Sequence, residues 1–192
     1  MKSENIMIMR NVDDYIEMPL INDMIETRKE DVMKLLLYLL RDTGARISEV
    51  LAVKVKDINF ERKEIRLLNL KRKAGKRDIK TNPVTDDCIN FLRYWVEKNR
   101  LDSESKIFFK RCGITNRVIA WKKIKELGEE YGIDIHPHTF RHSLAKFLVE
   151  NGVPLPQVQQ ILGHSDIVTT SFYLRFSSSA VRLSYDEAMK KI

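Results

Sequence analysis

The chain has 192 residues, 43% of them hydrophobic and 32% charged, which is enough apolar material for one sizeable core and too much for a disordered chain. Only 7 glycines and 5 prolines occur, which excludes a turn-rich sandwich and favours long regular elements. Lysine plus arginine outnumber aspartate plus glutamate by 34 to 27, a net charge of +7, and that balance suits a polyanionic partner such as nucleic acid without demanding one.

Residues 1–28 form a lead-in segment with one helix near 20–27. Their start, "MKSENIMIMRNVDDYIEM", has too short an apolar run and too many acids for a signal peptide. No stretch approaches the roughly 20 apolar residues of a membrane span, so no membrane partner is expected. "EDVMKLLLYLLRD" predicts a strongly apolar helix over 30–42, stopped at Thr43-Gly44, and "RISEVLAVK" predicts a second from Arg46. The pattern then changes to short apolar pairs between charged turns, which predicts strands near 57–60, 64–70 and 77–82 with Ala74-Gly75 at a hairpin tip.

Helices resume at 85–99, with Thr85 or Asp86 as cap, and at 115–132, where Val118, Trp121, Ile124 and Leu127 recur at helical spacing. The helix at 138–150 has two faces. Phe140, Leu144, Phe147 and Leu148 share one side, while His138, Arg141, His142 and Ala145 gather on the other, and Asn151-Gly152 supplies the stop. Short helices follow in "PLPQVQQILG" and "SDIVTTSFYLRF", and "SYDEAMKKI" ends the chain beyond a serine break. The fold class is therefore mainly α with a small three-stranded antiparallel sheet. Cys88 and Cys112 show no CxxC spacing, which argues against a disulfide framework or zinc knuckle and for a reducing, cytoplasmic setting.

Three stretches, in this order, resemble the tyrosine site-specific recombinases, the lambda-integrase family and its Xer-like branch. "TGARISEVLAV" at 43–53 is similar to the first arginine motif and "PHTFRHSLAKFLVENG" at 137–152 to the His-x-x-Arg motif. "ILGHSDIVTTSFY" at 161–173 is similar to the segment that joins the last active-site histidine to the nucleophilic tyrosine. The resemblance implies the recombinase catalytic-domain fold over 29–176 and a tail over 177–192; most members place an N-terminal core-binding domain before the catalytic one, and here only about 28 residues precede the first core helix, so that domain is expected to be absent. It implies metal-free DNA cleavage and rejoining through a 3′-phosphotyrosine, in site-specific recombination or integration, with no cofactor.

Carried over residue by residue, Arg46 and Arg141 clamp the scissile phosphate, Tyr173 attacks it, His138 helps with the phenol proton and His164 bonds a phosphate oxygen. Such chemistry wants guanidinium forks, which match the oxygens of a pentavalent phosphorus, and a base, because a phenol with a pKa near 10 is about one part in a thousand ionised at pH 7. The general acid of the family is a hairpin lysine, taken here as Lys73 of "LKRKAGKR", with Lys71, Arg72, Lys76 and Arg77 on DNA. Glu49 supports Arg46, and His142 supports the fold or the clamp. Double-stranded DNA is the partner, bound in a salt-dependent way. The helix at 184–191 resembles the tail that family members donate to a neighbouring protomer, which implies a homotetramer on two duplexes, with a monomer expected in free solution.

Taken singly, these residues have plainer readings: Arg46 as a salt-bridged surface residue, Tyr173 as core or rim, the basic hairpin as a solvated turn. His138 and His142 have the i,i+4 spacing of a metal pair, with His136 near, but no HExxH carboxylate accompanies them. His136, both cysteines, Trp95 and Trp121 take structural readings, the tryptophans in the core. Three rival functions remain: a topoisomerase-like activity with the same chemistry, a DNA-binding protein without catalysis, and a metal-dependent hydrolase.

Overall fold

The computed structural model describes residues 15–68 and 79–163, with Asp186, Met189 and Lys190 of the tail. The expected hairpin tip, Lys71, Arg72, Lys73, Lys76, Arg77, His164, Tyr173 and most of the tail helix lie outside the described residues. Lys190 N–H donates to the Asp186 carbonyl, the i to i−4 bond of a helix.

Helix α1 (Met18–Thr27) buries Ile21, Met24 and Ile25 in the main core. The lead-in expected over 1–28 therefore supplies a core helix, and the boundary drawn at 28 runs between two packed helices. Just before it, Ile16 N–H donates to Ser143 Oγ at 2.8 Å and Lys146 Nζ donates to Glu17 at 2.7 Å. Helix α2 (Asp31–Thr43) buries Leu35, Leu36, Leu37, Leu39 and Leu40, so its apolar surface extends beyond a single stripe. It needs that surface because other helices pack on several of its sides. The helix ends at Gly44 in the left-handed region (φ 52°, ψ 21°), where Gly44 N–H closes on the Leu40 carbonyl at 3.0 Å.

Helix α3 (Ile47–Val50) is shorter than the helix expected from Arg46 through Lys54. The chain leaves the helix to pair with 103–107: Ile107 N–H donates to Val53 O at 3.1 Å, and Val55 N–H to Ser105 O at 3.0 Å. The β-branched Val53, between the helix and the 3-10 turn, favours that extended path. A 3-10 turn at Val55–Asp57 leads into the sheet. Its strands are β1 (Ile58–Asn59), β2 (Glu64–Leu68) and β3 (Ile79–Pro83), antiparallel in the order β1-β2-β3. In β2 the alternation buries Ile65 and Leu67 and turns Arg66 and Leu68 outward.

Thr85 caps α4 (Asp86–Lys98), its Oγ1 accepting from Cys88 N–H at 3.3 Å. Asn116 caps α5 (Arg117–Glu130), accepting from Val118 and Ile119 N–H at 2.9 and 3.0 Å. Trp95 is core as expected, and its Nε1 donates to the Ile107 carbonyl at 2.9 Å. Trp121 is not: it is 50% exposed, and Val118 is 70% exposed. Helix α5 meets the core through Ala120, Ile124, Leu127 and Gly128, which leaves Trp121 at the edge of that face with Lys125 Nζ over its ring at 5.4 Å.

Helix α6 (Pro137–Glu150) corrects the two-face reading of its sequence. Arg141 and Ala145, placed on the face opposite the apolar stripe, are 4% and 0% exposed, whereas Phe147, placed on the stripe that holds the helix to the core, is 42% exposed. Arg141 is buried against the Gly44 turn, whose carbonyl it bonds, and Ala145 by a second packing layer. Helix α7 (Leu155–Leu162) folds back on α6, and Leu144, Ala145, Val149, Val158 and Leu162 form their own apolar cluster.

Both layers meet at Gly44. A Cβ there would lie 2.8 Å from Leu162 Cδ2 and 3.1 Å from Leu144 Cδ2, so strain and overlap act together. Gly44→Ala is expected to cost about 2–4 kcal/mol, the sum of a left-handed residue and an overpacked contact. Gly44→Asn, which eases only the backbone strain, should also destabilise; urea unfolding of both variants checks this, and a stable Gly44→Asn would remove the packing argument.

Candidate functional site

Arg46 owes its position to the Gly44 turn. It is the N-cap of α3 with extended backbone (φ −68°, ψ 144°), so its side chain leaves the helix start rather than lying along the helix. Glu49 holds it twice: Oε1 accepts from Arg46 Nη1 at 2.8 Å and Oε2 from Arg46 N–H at 3.2 Å. The Glu49 side chain is 1% exposed and that of Arg46 22%, so the carboxylate is sealed in while the guanidinium keeps a free edge. A fork fixed at one edge and open at the other can grip an anion.

Helix α6 brings the second arginine. Pro137 in its first turn pre-sets the helix, and His136 N–H, just before it, donates to Thr139 Oγ1 at 3.2 Å. One turn in, Arg141 donates from Nη1 to the Gly44 carbonyl at 2.8 Å. His138 lies one turn before Arg141 on the same helix, exposed at its surface, with its ring 6.2 Å from that of His136. Burial of part of the ring, then the charges of Arg141, His136, His142 and Arg46, hold the His138 imidazole below its ordinary 6.5. It is therefore a neutral base at pH 7. His142 sits half-buried on the same helix.

Two residues of β3 belong to this cluster and escaped the sequence reading. Lys80 and Asn82 pair across the ladder with Leu67 and Ile65, which puts both polar side chains on the buried face of the sheet. Asn82 donates to the Thr43 carbonyl at 3.1 Å and the Ile161 carbonyl at 2.8 Å. Lys80 Nζ stands 3.8 Å from Glu49 Oε2. Its ammonium is pushed down to about 8 by burial, with Glu49 opposing and Arg141 and Arg46 adding to the shift. The strand alternation of "IKTNP" carried the signal. Ile79, read as the apolar mark of the strand, is 53% exposed and faces away from the core.

The structure thus brings Arg46, Glu49, His138 and Arg141 together. Two cations, Arg46 and Lys80, flank the one buried carboxylate, and Arg141 adds its charge beside Lys80, an excess of positive charge that a phosphodiester would neutralise. Cys88 and Cys112 are free thiols pushed up by burial, which makes them poor nucleophiles. Among the described residues no group of three or more His, Cys, Asp or Glu side chains gathers as a metal site. No helix among them is long and apolar enough to cross a membrane.

The depressed His138 has a signed consequence. A histidine held below 6.5 resists protonation when folded, so its stabilising preference is intact above 6.5 and is lost as pH falls through the window beneath it. An NMR titration of His138 is expected to give a midpoint below 6.5 that rises in Arg141→Met, and His138→Gln should flatten the acid side of the stability curve. A midpoint unmoved by Arg141→Met would show that the two groups do not interact.

Residues 14–179 match the model of the phage integrase family. The tyrosine recombinase XerA of Saccharolobus solfataricus is 35% identical over 156 residues, which is 81% of this chain and 50% of that relative. The crystal structure of XerA recombinase superposes with a TM-score of 0.73 at 23% identity, over 91% of this chain and 64% of that one. The catalytic domain of bacteriophage HP1 integrase gives 0.67 at 19% identity, over 90% and 93%. At such identities the two structures speak for the fold alone. The chain spans about half the length of the curated relatives it matches. Since the family match runs through the α2–α3 turn and α6, where Arg46, His138 and Arg141 meet, this chain belongs to the phage integrase family.

Proposed function

We propose that this chain is the strand-cleaving and rejoining unit of a site-specific recombinase or integrase, acting on double-stranded DNA through a covalent 3′-phosphotyrosine. The observation that carries the proposal is the meeting of two guanidinium groups, Arg46 and Arg141, at the Gly44 turn with neutral His138 beside them. In this reading each arginine grips non-bridging oxygens of one phosphodiester. Removing one such donor is worth about 3–4 kcal/mol of transition-state stabilisation.

The step balances as follows. Tyr173 Oη attacks phosphorus in line, His138 takes the phenol proton, the bond from phosphorus to the 5′ oxygen breaks, and Lys73 protonates that oxygen. Religation is the same step reversed: the 5′-hydroxyl attacks the tyrosyl phosphate and Tyr173 regains its proton. The ester conserves the bond energy, so neither ATP nor another cofactor is required, and the arginines carry the charge that two metal ions carry in nucleases. His164 bonds a phosphate oxygen, Glu49 orients Arg46 and His142 braces α6, while Lys71, Arg72, Lys76 and Arg77 hold the flanking backbone. Lys73, His164 and Tyr173 enter through their sequence motifs.

The active assembly in this proposal is a homotetramer on two duplexes in the cytoplasm, formed from free monomers, with the body from α1 through residue 176 as the catalytic unit and the tail at 177–192 docking on a neighbour. Free thiols at Cys88 and Cys112 suit the reducing compartment.

Incubation with nicked duplexes from the gene's own flanking sequence, in chelator, is expected to yield a covalent adduct visible by denaturing gel and intact mass, absent in Tyr173→Phe. Arg46→Ala or Arg141→Ala should slow its formation by about 10²–10³. An adduct that survives in Tyr173→Phe refutes the nucleophile, activity lost in chelator favours the metal hydrolase, and tight binding without any adduct favours a non-catalytic DNA-binding protein. Deleting 177–192 is expected to leave single-duplex binding intact and abolish the two-duplex complex in sedimentation; an unchanged complex would end the docking idea.

A further inference from the structure

We infer that Lys80 is a positioning residue that ties the C-terminal turn of α7, and with it the point where the chain enters residue 164, to the Glu49 that holds Arg46. The inference rests on the function proposed above and adds to it a residue outside the motif set.

Geometry carries it. Lys80 faces inward because its partner across the ladder is buried Leu67, and its side chain is 13% exposed. From there Nζ donates to the Ile161 carbonyl at 3.3 Å and the Leu162 carbonyl at 3.1 Å, and lies 3.8 Å from Glu49 Oε2. Those two carbonyls belong to the last turn of α7, where no helical N–H remains to serve them, and a cation at that end also meets the negative pole of the helix. Asn82, two residues along on the same face, adds a bond to Ile161 O and another to Thr43 O. Gly163 then turns the chain at φ +68°, where an added Cβ would sit 3.2 Å from Lys80 Cδ. The lysine stem is therefore the surface against which the chain leaves α7.

An apolar side chain would suit a face shared with Ile65 and Leu67, and would avoid the burial that pushes the Lys80 ammonium down to about 8. It would leave two carbonyls and Glu49 without this donor. Two of its N–H groups are engaged by the α7 carbonyls, and Glu49 at 3.8 Å draws the same ammonium inward, which directs it at α7 and Glu49 rather than at a leaving group. This separates Lys80 in role from the hairpin lysine.

The test compares Lys80→Met, which keeps length and removes donors, with Lys80→Arg, which keeps charge and donors, in the full chain. Hydrogen exchange is expected to quicken by about tenfold or more in peptides covering 155–163 in Lys80→Met, with α2 and α4 unchanged and Lys80→Arg close to wild type. Single-turnover cleavage of a nicked duplex should slow by about tenfold or more at unchanged DNA affinity, yet by less than about twofold when His164→Asn is already present, because both changes act through one element. A substrate with sulfur in place of the 5′ bridging oxygen should not restore the rate. Exchange at 155–163 that does not change, full additivity with His164→Asn, or rescue by sulfur would each overturn the inference. If Lys80→Met does not fold, Lys80→Gln carries the same comparisons. If the wild type forms no adduct, the functional reading fails, while the exchange result still decides whether Lys80 holds α7.

Discussion

The bond from Arg141 Nη1 to the Gly44 carbonyl, at 2.8 Å, is the constraint on which the arrangement of the site depends. A guanidinium that is 4% exposed must exchange water for fixed acceptors or its burial is unfavourable. The end of α2 provides them. Its last carbonyls have no helical donor, and the negative pole of the helix favours a cation. Only a left-handed residue without a Cβ can present that carbonyl here, because Leu162 and Leu144 close over Gly44. The same turn that ends α2 thus anchors one arginine and launches the other, Arg46, from the start of α3.

A second helix end repeats the arrangement. The C-terminal carbonyls of α7 receive Lys80 and Asn82, and Asn82 also bonds Thr43 O at the end of α2. Two negative helix poles meet at one point and hold cations that bulk burial would otherwise discharge. Glu49 adds one buried full negative charge, placed to orient Arg46 rather than to cancel the cluster. Burial first, and then the remaining positive excess, lowers the basicity of His138 and Lys80 together. Charge placement and proton affinity are therefore consequences of the same packing.

Helix α6 is where the core and the site compete for one surface. Phe140 serves the main core, and Leu144, Ala145 and Val149 serve the α7 layer. Ser143 and Lys146 bind the segment ahead of α1, and His138 and Arg141 serve the site. Almost every position is used, which is why a division into one apolar and one polar face misjudged Arg141, Ala145 and Phe147. Phe147 instead lines an open groove with Met18 and Leu148.

The sequence by itself determined the fold class, most helix positions, the three-stranded sheet and the membership of Arg46, Glu49, His138 and Arg141 in one constellation. The elements depend on local periodicity and capping residues, which are properties of neighbouring residues along the chain, and the constellation was legible only through the resemblance of its motifs to a known family. Tertiary structure decided the rest. The shortening of α3 required the partner segment at 103–107, and the exposure of Trp121 followed from α5 meeting the core through Ala120, Ile124, Leu127 and Gly128. The burial of Ala145 required α7 and that of Arg141 the Gly44 turn, and the roles of Lys80 and Asn82 required the ladder register that pairs them with Leu67 and Ile65. Each of these is a long-range pairing, and a polar residue in a strand shows which face it takes only when the strand across from it is known.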